Sequence, residues 1–262
     1  MSSHHEKLSL LELLSRQYPG YGREQLKAFV DCRQVSIEGE TCTDARSVYP
    51  SESTVDLHIP KYVSRGGLKL EHALAAWHLD VNGLIMLDAG SSTGGFTDCL
   101  LQNGAKAVHA VDVGYNQLDY KLRTDDRVIV HERQNIMLVE SLDPRPDAAV
   151  ADLSFRSITG AARHILSLTR NGWLVSLVKP QFEVPKGYDE FSGVVDDRDL
   201  LHRILTDVIS SLRQEGLGLY GLEESPIQGK KGNREFLALL RFDGGMTVSE
   251  IAQRIGIVVT AF

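Results

Sequence analysis

Two charged residues stand directly after buried apolar runs in the middle of the chain. Asp152 follows the run at residues 147–151, and Lys179 follows the run at residues 173–178. Short apolar runs of this kind are typical of buried parallel strands, and open α/β sheets bind their ligands at the carboxyl ends of such strands. The two charges could therefore act on a substrate proton. A structural ion pair between them is the alternative, because buried charges usually pair.

A glycine-rich loop lies between another apolar run and a helix-forming stretch. The apolar run at residues 84–89 leads into the loop, and we predict a helix from Phe96 to about Gln102. Glycines let the backbone turn tightly and approach a ligand, and the free N–H groups at a helix start favour an anionic group. The loop has neither the Gly-Lys-Ser/Thr ending of a P-loop nor the G-x-G-x-x-G spacing.

A second apolar run, at residues 107–111, ends in Asp112. An acidic residue at the end of the second strand, about 20 residues beyond a glycine loop, is placed to accept hydrogen bonds from ribose hydroxyls. The loop and this acid together predict a nucleoside cofactor. A plain strand–loop–helix without a ligand is the alternative.

These residues fall in an alternation of strands and helices that predicts an α/β fold with a doubly wound parallel sheet. A linker is expected at residues 60–64, the main domain at residues 65–243 and a C-terminal tail at residues 244–262. Residues 181–197 predict a mobile loop that closes over substrate. The predicted strands after the glycine loop are 107–112, 127–131, 147–152, 173–179, 217–223 and 235–242, and the predicted helices lie near 116–122, 155–167 and 197–214.

Residues 1–59 predict a separate small α+β domain. Two amphipathic helices, from about Leu8 and from Gly22, are followed by a short hairpin near residues 35–40 and a strand at residues 55–59. This order resembles the RNA-binding module of ribosomal protein S-four. Residues 1–60 nevertheless carry six basic and nine acidic side chains, whereas a module that grips RNA should be positive. A domain that docks on protein is the alternative.

Composition limits the class of protein. The chain has 262 residues, a net charge of -7 and 42% hydrophobic residues, which is ordinary for a globular protein and argues against a nonspecific nucleic-acid coat. No apolar run reaches the roughly 18–20 residues that span a bilayer, and the first residues do not form a signal peptide. The three cysteines lack metal spacing and suit a reducing compartment. We expect a cytoplasmic protein with no metal and no membrane association.

One short basic patch lies between the last two predicted strands. Lys230, Lys231 and Arg234, with glycines around them, could follow a phosphate backbone. A solvated hairpin loop is an equal alternative. The other basic residues that we consider for RNA contact are Arg23, Lys27 and Arg65.

Several motifs resemble those of the TlyA family. They are the runs at residues 61–70, 90–98, 152–155, 179–183 and 231–237, in that order. Proteins of this family carry a small RNA-binding domain before an FtsJ-type methyltransferase domain, and they are often labelled hemolysins. The resemblance implies a Rossmann-like methyltransferase sheet, S-adenosylmethionine as cofactor and ribose 2'-O-methylation of ribosomal RNA, on cytidine in characterised members. The implied partner is ribosomal RNA or a ribosomal subunit, and a homodimer is left open.

The same resemblance implies site residues. The K-D-K-E tetrad of FtsJ-like enzymes falls on Lys69, Asp152, Lys179 and Glu235. A ribose 2'-hydroxyl is a poor acid and must lose its proton as it attacks the methyl group, so we predict Lys179 as the base or proton-steering group. The implied cofactor contacts are Asp88, Gly90, Ser91, Ser92, Thr93, Gly94, Gly95, Phe96, Asp112, Val113, Asn135 and Asp152.

Two other function classes compete with the enzyme. A membrane-active hemolysin would need a strongly amphipathic basic helix or a spanning segment, and the sequence shows neither clearly. A noncatalytic RNA-binding or ribosome assembly factor on the same fold predicts RNA binding without methyl transfer. The intact tetrad and cofactor loop favour the enzyme.

Overall fold

The computed structural model describes residues 6–154, 156–170, 172–184, 193–229 and 231–260. The chain divides into two compact units, residues 1–61 and residues 62–262. Each unit has a buried apolar core of its own, which leucine and valine side chains dominate in the first unit.

The first unit combines two helices with two small antiparallel sheets. Its elements are β1 (Lys7–Ser9), α1 (Leu10–Gln17), α2 (Arg23–Asp31), β2 (Val35–Ile37), β3 (Glu40–Thr41), β4 (Val48–Pro50) and β5 (Val55–Leu57). Strand β1 pairs with β4, and β2 lies between β3 and β5. Helix α1 begins at a reciprocal capping box between Ser9 and Glu12, which satisfies N–H groups that would otherwise lack partners. Strands β1 and β4 were not predicted.

The second unit alternates strands and helices. Its elements are α3 (Gly66–Ala76), β6 (Ile85–Ala89), α4 (Gly95–Gln102), β7 (Ala107–Val111), α5 (Tyr120–Arg123), β8 (Val128–His131), a 3-10 turn (Ile136–Leu138), β9 (Ala148–Ala151), α6 (Ala162–Ser167), β10 (Leu174–Val178), α7 (Pro180–Glu183), α8 (Arg198–Gln214), β11 (Leu217–Glu224), β12 (Phe236–Phe242) and α9 (Val248–Thr260).

A seven-stranded sheet with the order β11-β12-β10-β9-β6-β7-β8 forms the centre of this unit. The pairs from β10 to β8 are parallel, as predicted, whereas β12 is antiparallel to both β10 and β11. The sheet is therefore not wholly parallel. The connection at residues 225–235 turns straight back as a hairpin, because it is too short for the crossover that a parallel pair requires.

Buried side chains cover both faces of the sheet. Met86 belongs to the cluster beneath α3 and α4, and its neighbour Leu87 belongs to the cluster beneath α6, α8 and α9. This alternation follows from the two-residue period of a strand. Burial of each such side chain stabilises the fold by about 1.5–3 kcal/mol.

The segment that the sequence predicted as a C-terminal tail, residues 244–262, contains helix α9 and packs into the core. Helix α9 buries Ile251, Ile255, Val258 and Val259 in the cluster beneath α8 and β11. These positions lie three, four and seven residues apart, which places them on one face of a helix. The segment is therefore a part of the second unit.

Candidate active site

Four parallel strands end at one edge of the sheet, and the predicted site residues follow them. The glycine loop follows β6, Asp112 follows β7, Asp152 follows β9 and Lys179 follows β10. Strand β6 pairs with β7 on one side and with β9 on the other. The order of the strands therefore proceeds outward from β6 in two opposite directions, although the strands themselves are parallel. Open α/β sheets bind ligands at such a switch point.

Lys69 and Glu235 form the first of two close ion pairs. Lys69 is the fourth residue of α3, and Glu235 directly precedes β12. The Lys69 Nζ atom is 2.5 Å from Glu235 Oε2, and the two side chains are 11% and 5% exposed. Both charges are thus largely shielded from water. In such surroundings each charge requires the other as a partner.

Lys179 and Asp152 form the second pair. The Lys179 Nζ atom is 2.5 Å from Asp152 Oδ1, donates a hydrogen bond of 3.1 Å to Ser154 Oγ and lies 5.9 Å from the centroid of the Phe182 ring. The Lys179 side chain is 11% exposed and that of Asp152 is 27% exposed. The ion pair that stood as the structural alternative is therefore present, and both of its members line a cavity.

That cavity has a volume of about 710 Å³. It brings together all four residues of the predicted tetrad. Arg65 and Lys231, which we considered for RNA contact, line it too. The predicted cofactor residues at its wall, besides Asp152, are Gly90, Ser91, Ser92, Thr93, Gly95 and Phe96.

The glycines of the loop are required by the protein itself. Gly90 has φ +85°, and a Cβ atom there would lie 2.7 Å from the Asp152 carbonyl oxygen. Gly94 has φ +95°, and a Cβ atom there would lie 2.2 Å from Leu122 Cδ1. These positions combine left-handed backbone with close packing, so only glycine fits them without strain.

The loop also offers donors to a ligand. Within the described parts of the chain, the N–H groups of Thr93, Gly95 and Phe96 have no hydrogen-bond acceptor. Gly95 and Phe96 open the eight-residue helix α4, where such groups favour an anionic acceptor. The carboxylate at the methionine end of S-adenosylmethionine is an acceptor of this kind.

Asp112 is held in place beside this loop. Its Oδ2 atom accepts a hydrogen bond of 2.8 Å from the Ser92 N–H, and its Oδ1 atom accepts one of 2.6 Å from the Gly114 N–H. A carboxylate has about four acceptor sites, so both oxygens can still accept from ribose hydroxyls. The loop and Asp112 together fit a nucleoside cofactor with an anionic end.

Asp88 lies beneath the loop rather than at the cavity wall. Its side chain is fully buried, and its Oδ2 atom accepts a hydrogen bond of 2.7 Å from Thr97 Oγ1. Burial raises the pKa of Asp88 to about 7, a shift that the Thr97 hydrogen bond opposes and the nearby Asp152 charge increases. We expect this carboxyl to be partly protonated at neutral pH.

Several predicted residues lie away from the cavity. Gly94 packs against Leu122, Val113 is exposed just beyond Asp112, and Asn135 is exposed and caps the 3-10 turn by accepting a hydrogen bond from the Met137 N–H. Arg23 and Lys27 belong to the first unit and lie on the exposed face of α2. Lys230 lies outside the described residues.

Arg234 does not belong to a basic RNA-contacting patch. Its guanidinium is buried, pairs with Glu224 and donates hydrogen bonds to the carbonyl groups of Val258 and Val259 in α9. The carbonyl groups at the end of helix α9 accept the guanidinium N–H groups of Arg234, which are therefore not available to RNA phosphates.

Other cavity residues were missed. Ser154 and Gln181 stand within the motifs that contain Asp152 and Lys179, so their position next to predicted strand ends could have identified them. Asn233 is buried and clamps two loops, since its side chain accepts from the Val195 N–H at 3.0 Å and donates to the Gly193 carbonyl at 2.8 Å. No local pattern predicts such contacts between distant segments.

Among the described residues, no helix combines the length and apolar character that crossing a membrane demands. The same residues include no cluster of three or more His, Cys, Asp or Glu side chains suited to a metal ion.

A Rossmann-like sheet with one reversed strand, a glycine loop at its switch point and an acid after the next strand defines a nucleoside-cofactor site. Two lysine–carboxylate pairs beside that site complete the arrangement of an S-adenosylmethionine-dependent methyltransferase. The family model of the FtsJ-like methyltransferases matches residues 62–242. The chain belongs to this family.

Relatives agree with this assignment. The chain is 44% identical over 183 residues to the 16S/23S rRNA (cytidine-2'-O)-methyltransferase TlyA of Mycobacterium tuberculosis (strain ATCC 25618 / H37Rv), covering 69% of this chain and 68% of that one. It is 46% identical over 182 residues to Hemolysin A of Brachyspira hyodysenteriae, covering 68% and 76%. The solved structure of a "putative hemolysin" from Streptococcus thermophilus matches with a TM-score of 0.72 at 37% identity, covering 97% and 96%. The predicted resemblance to the TlyA family is confirmed.

Proposed function

We propose that the protein transfers the methyl group of S-adenosylmethionine to a ribose 2'-hydroxyl of ribosomal RNA, with cytidine as the target. The observation that carries this proposal is the single cavity that joins the glycine loop to both lysine–carboxylate pairs. The name of the Mycobacterium tuberculosis relative supports ribosomal RNA cytidine as the substrate.

The glycine loop lines the cofactor end of the cavity, and Asp112 lies beside the loop, where it accepts a hydrogen bond from the Ser92 N–H. The N–H groups of Thr93, Gly95 and Phe96 would hold the cofactor's carboxylate, and Asp112 its ribose. When bound, S-adenosylmethionine supplies a sulfonium methyl group, which the ribose 2'-oxygen takes as the carbon–sulfur bond breaks. Holding the two reactants in line can supply about 7–11 kcal/mol of the barrier reduction.

Lys179 receives the proton in this proposal. The ammonium of the ion pair first releases a proton to water, and the resulting neutral amine takes the hydrogen of the 2'-hydroxyl as the new bond to carbon forms. Asp152, 2.5 Å away, stabilises the resulting ammonium, and Ser154 fixes the orientation of the amine. Lys69, which pairs with buried Glu235, stabilises negative charge that develops on the 2'-oxygen.

The first unit is proposed to be an RNA-binding-type module. Its support is the order of two helices and short strands, together with Arg23 and Lys27 exposed on α2. The charge reversals Arg23→Glu and Lys27→Glu should weaken binding to ribosomal RNA about tenfold and flatten its salt dependence. Filter binding across a salt series measures both effects. Reversal of Arg46, which pairs with Asp44 on the same unit, is the matched control. Unchanged binding in the double variant would favour the protein-docking alternative.

Identification of the product tests the reaction class. Ribosomal subunits and stripped RNA from a strain lacking the gene would be incubated with radiolabelled S-adenosylmethionine, and the labelled nucleosides separated. The expected product is one 2'-O-methylcytidine, whose neighbouring phosphodiester resists alkali. RNA binding without label would favour the noncatalytic assembly factor, and label on a base would refute ribose methylation. Dye release from liposomes tests the hemolysin alternative separately.

A further inference from the structure

Two positive charges at the cavity have no carboxylate partner. Lys69 and Lys179 are each paired with a carboxylate. Lys231 and Arg65 line the same cavity with exposed side chains, and neither side chain forms an ion pair or a hydrogen bond with another described residue. A cation of this kind can bind an anionic ligand without first giving up a partner.

Lys231 stands on a turn that hydrogen bonds hold in place. Within the connection from β11 to β12, the Gly229 N–H donates a hydrogen bond of 2.8 Å to the Asn233 carbonyl. The buried Asn233 side chain joins this turn to Gly193, whose carbonyl accepts from the side-chain amide at 2.8 Å. A Cβ atom at Gly193 would lie 3.7 Å from Lys231 Nζ. The ammonium therefore lies against the backbone of Gly193, which also lines the cavity.

The same turn encloses one member of the buried ion pair. A Cβ atom at Gly229 would lie 2.6 Å from Glu235 Oε1, and Glu235 is the partner of Lys69. In the proposed function Lys69 stabilises charge on the ribose 2'-oxygen. The turn that carries Lys231 is therefore at the ribose end of the cavity.

Arg65 lies beside the cofactor end. Its neighbour Gly66 packs on the glycine loop, since a Cβ atom at Gly66 would lie 3.8 Å from the Gly95 Cα atom. Gly193, against which Lys231 lies, does not belong to that loop. The carboxylate of the cofactor therefore suits Arg65, whereas Lys231 requires an anion of the RNA.

We infer that Lys231 is a phosphate-binding residue that holds a phosphodiester group next to the target ribose. The inference rests on the proposed function and deepens it, because it names the part of the RNA that the cavity holds. Every ribose within an RNA chain has a phosphate on its 5' side and another on its 3' side, and these are the anions nearest to its 2'-hydroxyl. Contacts to phosphates fix the register of a nucleic acid without reading its bases.

Removal of one phosphate charge at a time tests the inference. The mapped target RNA, in the form that the wild-type protein methylates, would be assembled with an uncharged methylphosphonate on the 5' or the 3' side of the target nucleotide. Fluorescence anisotropy with S-adenosylhomocysteine measures RNA affinity without methyl transfer. Lys231→Gln should weaken binding of unmodified RNA about three- to tenfold and lower the salt slope by about 0.7. At the contacted phosphate, the methylphosphonate should abolish this difference from the wild type.

Two variants and one further measurement are the controls. Lys231→Arg keeps the charge and should bind RNA as the wild type does. Lys106→Gln removes an equal charge from an exposed lysine outside the cavity and should respond to each methylphosphonate as the wild type does. Calorimetry should show one affinity for S-adenosylhomocysteine in all of these proteins. In methyl transfer, Lys231→Gln should raise the KM for RNA more than it lowers kcat.

Each outcome supports one conclusion. If Lys231→Gln loses the same factor on both methylphosphonate RNAs as on unmodified RNA, Lys231 contacts neither phosphate, and the inference is wrong while the methyltransferase proposal stands. If the variant weakens cofactor binding and leaves RNA binding unchanged, Lys231 belongs to the cofactor site. If the wild-type protein labels no RNA, the proposed function fails, and the inference fails with it.

Discussion

The two lysine–carboxylate pairs of the cavity share one geometry and differ in their surroundings. In both, a lysine nitrogen lies 2.5 Å from a carboxylate oxygen, and each lysine side chain is 11% exposed. Glu235 is almost completely buried, whereas Asp152 is 27% exposed. Lys179 has the Ser154 hydroxyl as a further partner.

This difference separates the roles of the two lysines. Charges in a pair that is buried on both sides stay together, because an unpaired charge there is costly. In the second pair the carboxylate is partly exposed, and the lysine nitrogen also contacts the Ser154 hydroxyl. We therefore assign proton transfer to Lys179 and stabilisation of the developing negative charge to Lys69. The distance alone would make the two lysines equivalent.

Breaking the buried pair should have the largest effect on stability. Lys69→Met leaves Glu235 buried without a partner and should lower the free energy of unfolding by about 3–5 kcal/mol. Lys179→Met should cost less than this, because the Asp152 side chain is 27% exposed whereas that of Glu235 is 5% exposed. Urea unfolding without cofactor measures both values. The double variant Lys69→Met/Glu235→Leu should recover most of the loss, and equal costs for the two single variants would remove the distinction between the pairs.

Asp88 sharpens the comparison, because it is a buried carboxyl group without a lysine. Its raised pKa means that the folded protein holds a proton between about pH 4 and pH 7 that the unfolded chain releases. Stability from this group is therefore present at low pH and is lost as the pH rises to about 7. Relative to Asp88→Asn, the wild-type protein should lose a few kcal/mol between pH 4 and pH 8. Urea unfolding of both proteins across this range should reveal the slope, and parallel curves would contradict it.

Ser154 should have the smallest effect. Ser154→Ala removes one hydrogen bond from Lys179 and leaves the Asp152 pair intact, so kcat should fall about three- to tenfold. The KM for S-adenosylmethionine should not change, and Ser154→Thr should restore most of the rate. Steady-state kinetics at saturating RNA tests this, and a change in KM alone would mean that Ser154 positions the cofactor.

The parts of the fold that the sequence predicts are those with strong local patterns. Strands β6, β7, β9 and β10 are mostly apolar runs, and the charges that follow them are near the site because parallel strands share one edge. The reversed direction of β12 follows from the hairpin connection, which the apolar pattern of its strand does not encode.

Two errors share one origin in helix α9. The sequence shows the helical spacing of the buried residues of α9, which are Ile251, Ile255, Val258 and Val259. This spacing does not indicate where the helix packs. Because Arg234 donates to the carbonyl groups of Val258 and Val259, its burial could not be predicted without that packing.

The most direct test of the assignment of Lys179 is methyl transfer by three proteins under identical conditions. They are the wild type, Lys179→Ala and Lys106→Ala, a control in which an exposed lysine outside the cavity is replaced. Calorimetry with S-adenosylhomocysteine would show that all three bind cofactor. We predict a loss of about 10²–10⁴-fold in the single-turnover rate for Lys179→Ala alone. If Lys179→Ala binds cofactor and transfers methyl groups at the wild-type rate, Lys179 is not the proton acceptor.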